Sequence, residues 1–139
     1  MCVNQDEEHA KVLLRSLSNK THYVVTAVCL LVPAEMINVE EAARSLSEEG
    51  FNFRSMKGVH AFHEKTDVTF GHLDDLTIEA YVATGEPMDK AGGYGIQGIA
   101  GSFVRRINGC YYNVVGFPLF RFCSELLKIE GSGRLTKAT

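Results

Sequence analysis

Residues 21–32, THYVVTAVCLLV, carry no charged side chain and are mostly β-branched or aliphatic. The surrounding apolar stretch is too short to cross a bilayer as a helix, which takes about 20 such residues. Its β-branched residues favour a strand. No polar alternation follows Val24, which predicts a strand covered on both faces, and Pro33 ends it.

The rest of the chain supplies elements to pack around that strand. In residues 6–18, Ala10, Leu13, Leu14 and Leu17 recur at helical spacing on one face. Asp6, Glu7 and Glu8 favour the N-terminus of this helix through its dipole, and Asn19 is a left-handed stop. A second helix is predicted over 38–49, capped by Asn38 with Glu41 in the capping-box position and ended by Gly50. Residues 59–70 alternate: Phe62, Thr66, Val68 and Phe70 face one side, and His63, Lys65, Asp67 and Thr69 the other. Asp74 then caps a helix to Ala83, with Leu73 and Ile78 spaced as a hydrophobic staple and Gly85 as its stop.

Residues 102–107 and 110–115 flank Asn108-Gly109, a strong two-residue hairpin signal, with Tyr111 and Tyr112 packing across the pair. Pro118 opens a last helix in which Leu119, Phe122, Cys123 and Leu126 share a face. The order helix, strand, helix, strand, helix, loop, hairpin, helix predicts an α/β domain, a mixed sheet with flanking helices.

Length and charge narrow the function classes. The chain has 139 residues and a net charge of −3, which suits one domain or part of one. Without a lysine- or arginine-rich run, a nucleic acid polymer is not the default partner. Cys2, Cys29, Cys110 and Cys123 form no C-x-x-C pair, which argues against a zinc module or a redox motif. Without a signal peptide they read as reduced thiols of a cytoplasmic protein, with Cys29 and Cys123 as packing residues. Residues 131–139 read as a flexible tail.

The chemistry concentrates in TGEPMDKAGGYGIQG, residues 84–98. Gly93-Tyr94-Gly95-Ile96-Gln97-Gly98 spells G-x-G-x-x-G, but a dinucleotide fingerprint follows a strand, opens a helix and has an acid about twenty residues on. Here a polar turn precedes it and a predicted hairpin follows, so that reading is rejected. Two readings of the loop remain. In one, Lys90 holds a phosphate, Gln97 reads the edge of a base, and Glu86 and Asp89 bind a divalent cation or restrain Lys90. In the other, Glu86, Asp89 and Lys90 form surface ion pairs and Gln97 caps a turn.

Other patterns are weaker. His60-x-x-His63 has a metal-like spacing, but residues three apart on a strand face opposite sides. No G-x-S-x-G accompanies a nucleophile. Arg105 and Arg106 read as a solvated pair.

The run GEPMDKAGGYGIQG, followed by GSFVRRINGCYYNVVGFPLFRFCSELL, resembles the C-terminal half of the Maf family of nucleotide pyrophosphatases. HAKVLLRSLSNKTHYVVTAV and EKTDVTFGHLDDLTIEAYVATGE resemble that family's preceding elements. Residues 34–58 have no placed match. The resemblance implies the C-terminal portion of a Maf/inosine-triphosphatase-like fold over residues 1–130. It also implies hydrolysis of a nucleoside triphosphate to the monophosphate and pyrophosphate, with magnesium or manganese as cofactor and a possible homodimer.

By that resemblance Gln97 falls on the glutamine that contributes to base choice in the dTTP/UTP-preferring branch. Glu86, Asp89 and Lys90 match the loop beside the substrate cleft. Family members also carry an S-x-S-P-R-R-like loop for the phosphates and an aspartate-threonine motif for the general base; neither occurs in this sequence. The expectation is therefore an N-terminally truncated domain with no catalytic residue of its own, weakly active or inactive. The alternative is a non-catalytic nucleotide-binding or dimerisation module.

Overall fold

In the computed structural model, which describes residues 6–31 and 59–131, helix α1 (Glu7–Leu17) lies within the helix expected over residues 6–18, and Asp6 is its cap. The Asp6 carboxylate accepts the His9 N–H at 2.7 Å, Glu7 and Glu8 occupy the first turn and Arg15 the last. This is the arrangement the helix dipole favours. Ala10 and Leu14 are fully buried, with Leu17 packed beside them. The helix ends at Ser18, whose hydroxyl accepts the Leu73 N–H at 2.9 Å, and Asn19 takes the left-handed conformation with φ 57°.

Strand β1 (Thr21–Leu31) and strand β2 (Val59–Phe70) follow. The Phe70 N–H donates to the Lys20 carbonyl, and the Thr21 and Thr69 hydroxyls bond at 2.9 Å. The start of β1 therefore lies beside the end of β2, an antiparallel arrangement. On β2, Phe62, Thr66, Val68 and Phe70 are the buried residues, which is the alternation read from the sequence.

The expectation that β1 is covered on both faces fails. Its odd-numbered residues are exposed throughout, Tyr23 at 64% and Leu31 at 82%. The described sheet has the order β1-β2-β3, so β1 is an edge strand, and it turns only one face towards the described core. Apolar content reports what a strand can bury, not which layers are present to cover it. Cys29 and Cys123 are likewise exposed rather than packed, and Cys29, Cys110 and Cys123 are all free thiols.

Helix α2 (Asp75–Ala83) is capped by Asp74, which accepts the Thr77 N–H at 2.8 Å; Leu73 and Ile78 are buried, and Gly85 follows in the left-handed region at φ 76°. Two 3₁₀ turns, Glu86–Asp89 and Ile99–Phe103, bracket the glycine-rich stretch. Strand β3 (Val104–Asn108) then pairs antiparallel with β2, Val68 opposite Ile107 and Thr69 opposite Arg106. Phe70 pairs with Val104, so a bulge sets Arg105 outside the ladder.

The hairpin predicted around Asn108-Gly109 does not form. After Gly109, at φ 125°, the chain enters helix α3 (Tyr111–Val115) instead. The Thr66 hydroxyl accepts the Cys110 N–H at 3.0 Å and donates to the Cys110 carbonyl at 3.1 Å. The buried Asn113 amide donates to the Val24 carbonyl and to Thr66 Oγ1, each at 3.1 Å. A side chain at Gly109 would come within 3.0 Å of Thr66 Oγ1. These long-range bonds draw residues 110–113 over the sheet, and β3 takes its partner from β2. Tyr111 and Tyr112 are exposed neighbours in α3, ring centroids 5.7 Å apart, rather than a cross-strand pair.

Helix α4 (Leu119–Gly131) follows Pro118 as expected, but with a different buried face. Glu125 and Ile129 are buried, while Leu119, Cys123 and Leu126 are exposed. Glu125, only 4% exposed, receives His60 Nε2, Arg121 Nε and Lys128 Nζ, each at 2.9 Å. Burial favours its neutral form, yet the bonds from Lys128 and His60 and the charges of Lys128 and Arg121 hold its carboxyl below the usual range. An acid that brings three hydrogen-bonding partners, two of them the cations Arg121 and Lys128, can be buried where periodicity reads a solvent position.

The chain divides into two compact units. The described part of the first comprises residues 6–25 and 65–117, and that of the second residues 26–31, 59–64 and 118–131. The core of the first is Ala10, Leu14, Val68, Phe70, Leu73, Ile78, Tyr81, Val82, Tyr94, Ala100 and Phe103. In the second, Phe62, Pro118 and Ile129 are buried with the Glu125 cluster. The helix predicted over 38–49 and the tail after residue 131 lie outside the described residues.

Candidate functional site

The stretch 84–98 folds back on itself. Glu86 opens the Glu86–Asp89 turn, with the buried Pro87 behind it. Its carboxylate accepts the Ile99 N–H at 3.0 Å, the Ala100 N–H at 3.5 Å and the Tyr81 hydroxyl at 3.2 Å. It thereby supplies the cap that Gly98, lacking a side chain, does not give the Ile99–Phe103 turn. A Cβ at Gly98 would run into the Glu86 carboxylate. Burial, reinforced by the Glu86 charge, raises the Tyr81 phenol well above its ordinary value, so Tyr81 remains a donor.

A second contact joins the two arms nearer the tip. The Lys90 stem lies along Gly95, where a Cβ would stand 3.2 Å from Lys90 Cε. Lys90 Nζ bonds Asp89 at 2.7 Å, and that bond together with the Lys90 charge lowers the Asp89 carboxyl. Gly92 and Gly93, at φ 77° and 78°, make the reversal with the Gly93 N–H on the Lys90 carbonyl. Two consecutive left-handed residues are inexpensive only for glycine.

Tyr94 anchors the loop to the core. Its ring meets Phe70 at 4.8 Å and His22 at 5.5 Å, both edge-on, and its hydroxyl lies 2.7 Å from His22 Nε2. Burial pushes the Tyr94 phenol up to about 12 and the His22 imidazole down. Gln97 is exposed, and its amide makes no hydrogen bond to the described residues.

Glu86, Asp89, Lys90 and Gln97 therefore share one loop whose arms lie side by side, Glu86 against Gly98 and Lys90 against Gly95. Glu86 is turned inward as a brace, Asp89 is paired with Lys90, and Gln97 is open to solvent. The letters G-x-G-x-x-G open no α-helix: a 3₁₀ turn and then β3 follow them. His60 is bonded to Glu125. Among the described residues no three His, Cys, Asp or Glu side chains converge to hold a metal ion. With Glu86 occupied by donors and Asp89 by Lys90, the acids of the loop do not fit a divalent cation. Arg105 and Arg106 are exposed.

Sequence reasoning passed over His22 and Tyr94. The one available signal was a polar ring, His22, at the start of an otherwise apolar strand; nothing in the spacing links it to a residue 72 positions away.

The lowered pKa of His22 has a consequence for stability. Its folded value lies below the ordinary 6.5, so the unfolded chain takes up the proton first as pH falls. The contribution of His22 is complete above about pH 6.5 and is lost as pH falls from there to its folded value. Melting temperatures measured across this window should fall in the wild-type protein and fall less in His22→Gln.

Comparison with known proteins agrees with these features. The family model described as Maf-like protein matches residues 4–129. A dTTP/UTP pyrophosphatase of Clostridium beijerinckii is 40% identical over 126 residues, 91% of this chain and 56% of that protein. One from Geobacillus is 43% identical over 123 residues, 88% of this chain and 54% of that protein. A nucleoside triphosphate pyrophosphatase of Shigella flexneri is 44% identical over 115 residues, 83% of this chain and 47% of that protein. The chain spans about half the length of the curated relatives it matches. No helix among the described residues is long and apolar enough to cross a membrane. With its mixed α/β architecture and the GEPMDKAGGYGIQG loop folded against the core, the chain belongs to the Maf-like protein family.

Proposed function

We propose that this chain provides the base-recognising side of a nucleoside triphosphate pyrophosphatase, converting a nucleoside triphosphate and water to the monophosphate and pyrophosphate, with dTTP or UTP as substrate. The observation that carries the reading is Gln97: its exposed amide, free of partners among the described residues, stands on a loop pinned by Glu86 and Tyr94. An amide offers both a donor and an acceptor, which the edge of a thymine or uracil requires. The names of the relatives, dTTP/UTP pyrophosphatases, support that choice of base.

In this reading Lys90 approaches a phosphate as a point charge, with Asp89 holding its ammonium until the ligand arrives. Glu86 serves the ligand indirectly, by fixing the backbone on the far side of Gln97. Magnesium or manganese would supply charge neutralisation for the triphosphate, while in this loop Asp89 is engaged by Lys90 and Glu86 by backbone donors. Cleaving a phosphoanhydride further requires a base for the water and cations on the phosphates. The sequence has no S-x-S-P-R-R-like run and no aspartate-threonine pair to supply them. This chain by itself is therefore expected to bind dTTP while turning it over slowly or not at all. The free thiols of Cys29, Cys110 and Cys123 are compatible with the cytoplasm as its compartment.

The test is paired. Titration of the 139-residue chain with dTTP should give saturable binding, weakened by about ten-fold in Gln97→Ala, the scale of one well-placed bidentate contact. Pyrophosphate release with magnesium or manganese should stay near background. Equal dTTP affinity in the two proteins would refute base reading by Gln97, and rapid turnover would refute the inactivity.

A second reading, a dimerisation module, is favoured by the open apolar residues Tyr23, Val25 and Leu31 of the edge strand β1. A homodimer by light scattering, with no chemical-shift change at Gly93, Gln97 or Gly98 on adding dTTP, would select it.

A further inference from the structure

We propose that His22 is a positioning residue for base recognition: through its hydrogen bond to Tyr94 it sets where the 93–98 segment presents the Gln97 amide. The inference rests on the reading of Gln97 as the base-recognising residue. The segment contains three glycines with a fourth just before it, so its own backbone preferences do little to place Gln97. Its position is imposed by anchors. On one side stands the Glu86 brace at Ile99, two residues past Gln97. On the other stands Tyr94, three residues before it, held between Phe70 and His22.

His22 reaches this anchor from β1, with its ring edge-on to Phe70 at 5.0 Å. Its Nδ1 is buried without a hydrogen-bond partner. An unsatisfied buried polar atom is a cost that a phenylalanine at this position would avoid. What an imidazole offers here and an apolar ring does not is the 2.7 Å bond from Nε2 to the Tyr94 hydroxyl. Burial lowers the imidazole pKa and so keeps the ring neutral. The fold thus accepts one unsatisfied nitrogen to fix Tyr94, and with it the loop.

A double-mutant cycle on the 139-residue chain, with dTTP as the titrated ligand, separates positioning from general stabilisation. His22→Phe and Tyr94→Phe should each weaken dTTP binding by about five-fold, the scale of one hydrogen bond. His22→Gln, whose amide can reach the same hydroxyl, should recover most of that loss. In a Gln97→Ala background, His22→Phe should change affinity by less than about two-fold, because the two residues act through one contact. An additive loss in that background, or unchanged affinity in folded His22→Phe and Tyr94→Phe, overturns the proposal. If Gln97→Ala alone leaves dTTP affinity intact, base reading fails and the role of His22 falls with it. A clear Gln97 effect beside an additive His22 effect removes only the latter.

Discussion

Phe70→Ala is expected to reduce the stability of the protein by about 3–5 kcal/mol, the cost of emptying a buried phenylalanine site. Phe70 has no exposed surface and ends β2 at the point where sheet, α1 and the glycine-rich loop meet. Its ring is the shared neighbour of His22 at 5.0 Å, Tyr94 at 4.8 Å and Phe103 at 6.2 Å, each in an edge-on arrangement. The loss therefore combines transfer of the side chain, the cavity left behind and three aromatic contacts. Phe70→Leu keeps most of the volume and should cost about half as much. Urea unfolding of the three proteins checks both values. A loss for the alanine variant below about 1 kcal/mol would contradict the burial on which the loop anchor depends.

Asn113→Asp is expected to cost about 3 kcal/mol or more at neutral pH. The Asn113 amide is fully buried and donates to the Val24 carbonyl and Thr66 Oγ1. A carboxylate cannot donate to the Val24 carbonyl, and it sets a negative charge against that carbonyl oxygen in a buried site. Folding then favours the protonated acid, so its folded pKa rises above the ordinary value of about 3.9. The penalty is smallest below that unfolded value and grows as pH rises through it. Asn113→Ala should cost about 2 kcal/mol with little dependence on pH. Thermal melts at acid and neutral pH distinguish the two variants, and a pH-independent difference between them would contradict this account.

The residue that places α3 is thus one that sequence reasoning assigned to a strand. Asn108-Gly109 is a valid hairpin signal, and residues 110–115 have the composition of a strand. The choice fell otherwise because Thr66 and Asn113 form a buried polar network with Cys110 and Val24. The span from Asn113 to Val24 is 89 residues. In α4, likewise, periodicity selected Leu119, Cys123 and Leu126 as the inner face. The partners that make Glu125 buriable include His60, 65 residues away. Neither bond leaves a trace in local spacing.

Within the candidate loop the division is similar. Lys90, Gln97, Glu86 and Asp89 stand out by residue type between glycines, and rejecting a dinucleotide turn required only the flanks. That Glu86 caps the Ile99 turn, while Gln97 faces outward, depends on the arms closing on each other. That Tyr94 is an anchor depends on His22.

By itself, the sequence determined the first helix with its acidic first turn and Asn19 stop, the alternation of β2, the Asp74-capped helix, the start of the last helix at Pro118, and the family. All but the last rest on interactions within one or two turns of chain, where side-chain type and spacing dictate the outcome, and the family rests on contiguous motifs. The tertiary structure decided the one-sided burial of β1, the replacement of a hairpin by α3, the inner face of α4 and the anchoring of the Gln97 loop. Each depends on a polar or aromatic partner dozens of residues away, or on which layers stand against a strand, and these exist only once the chain has folded.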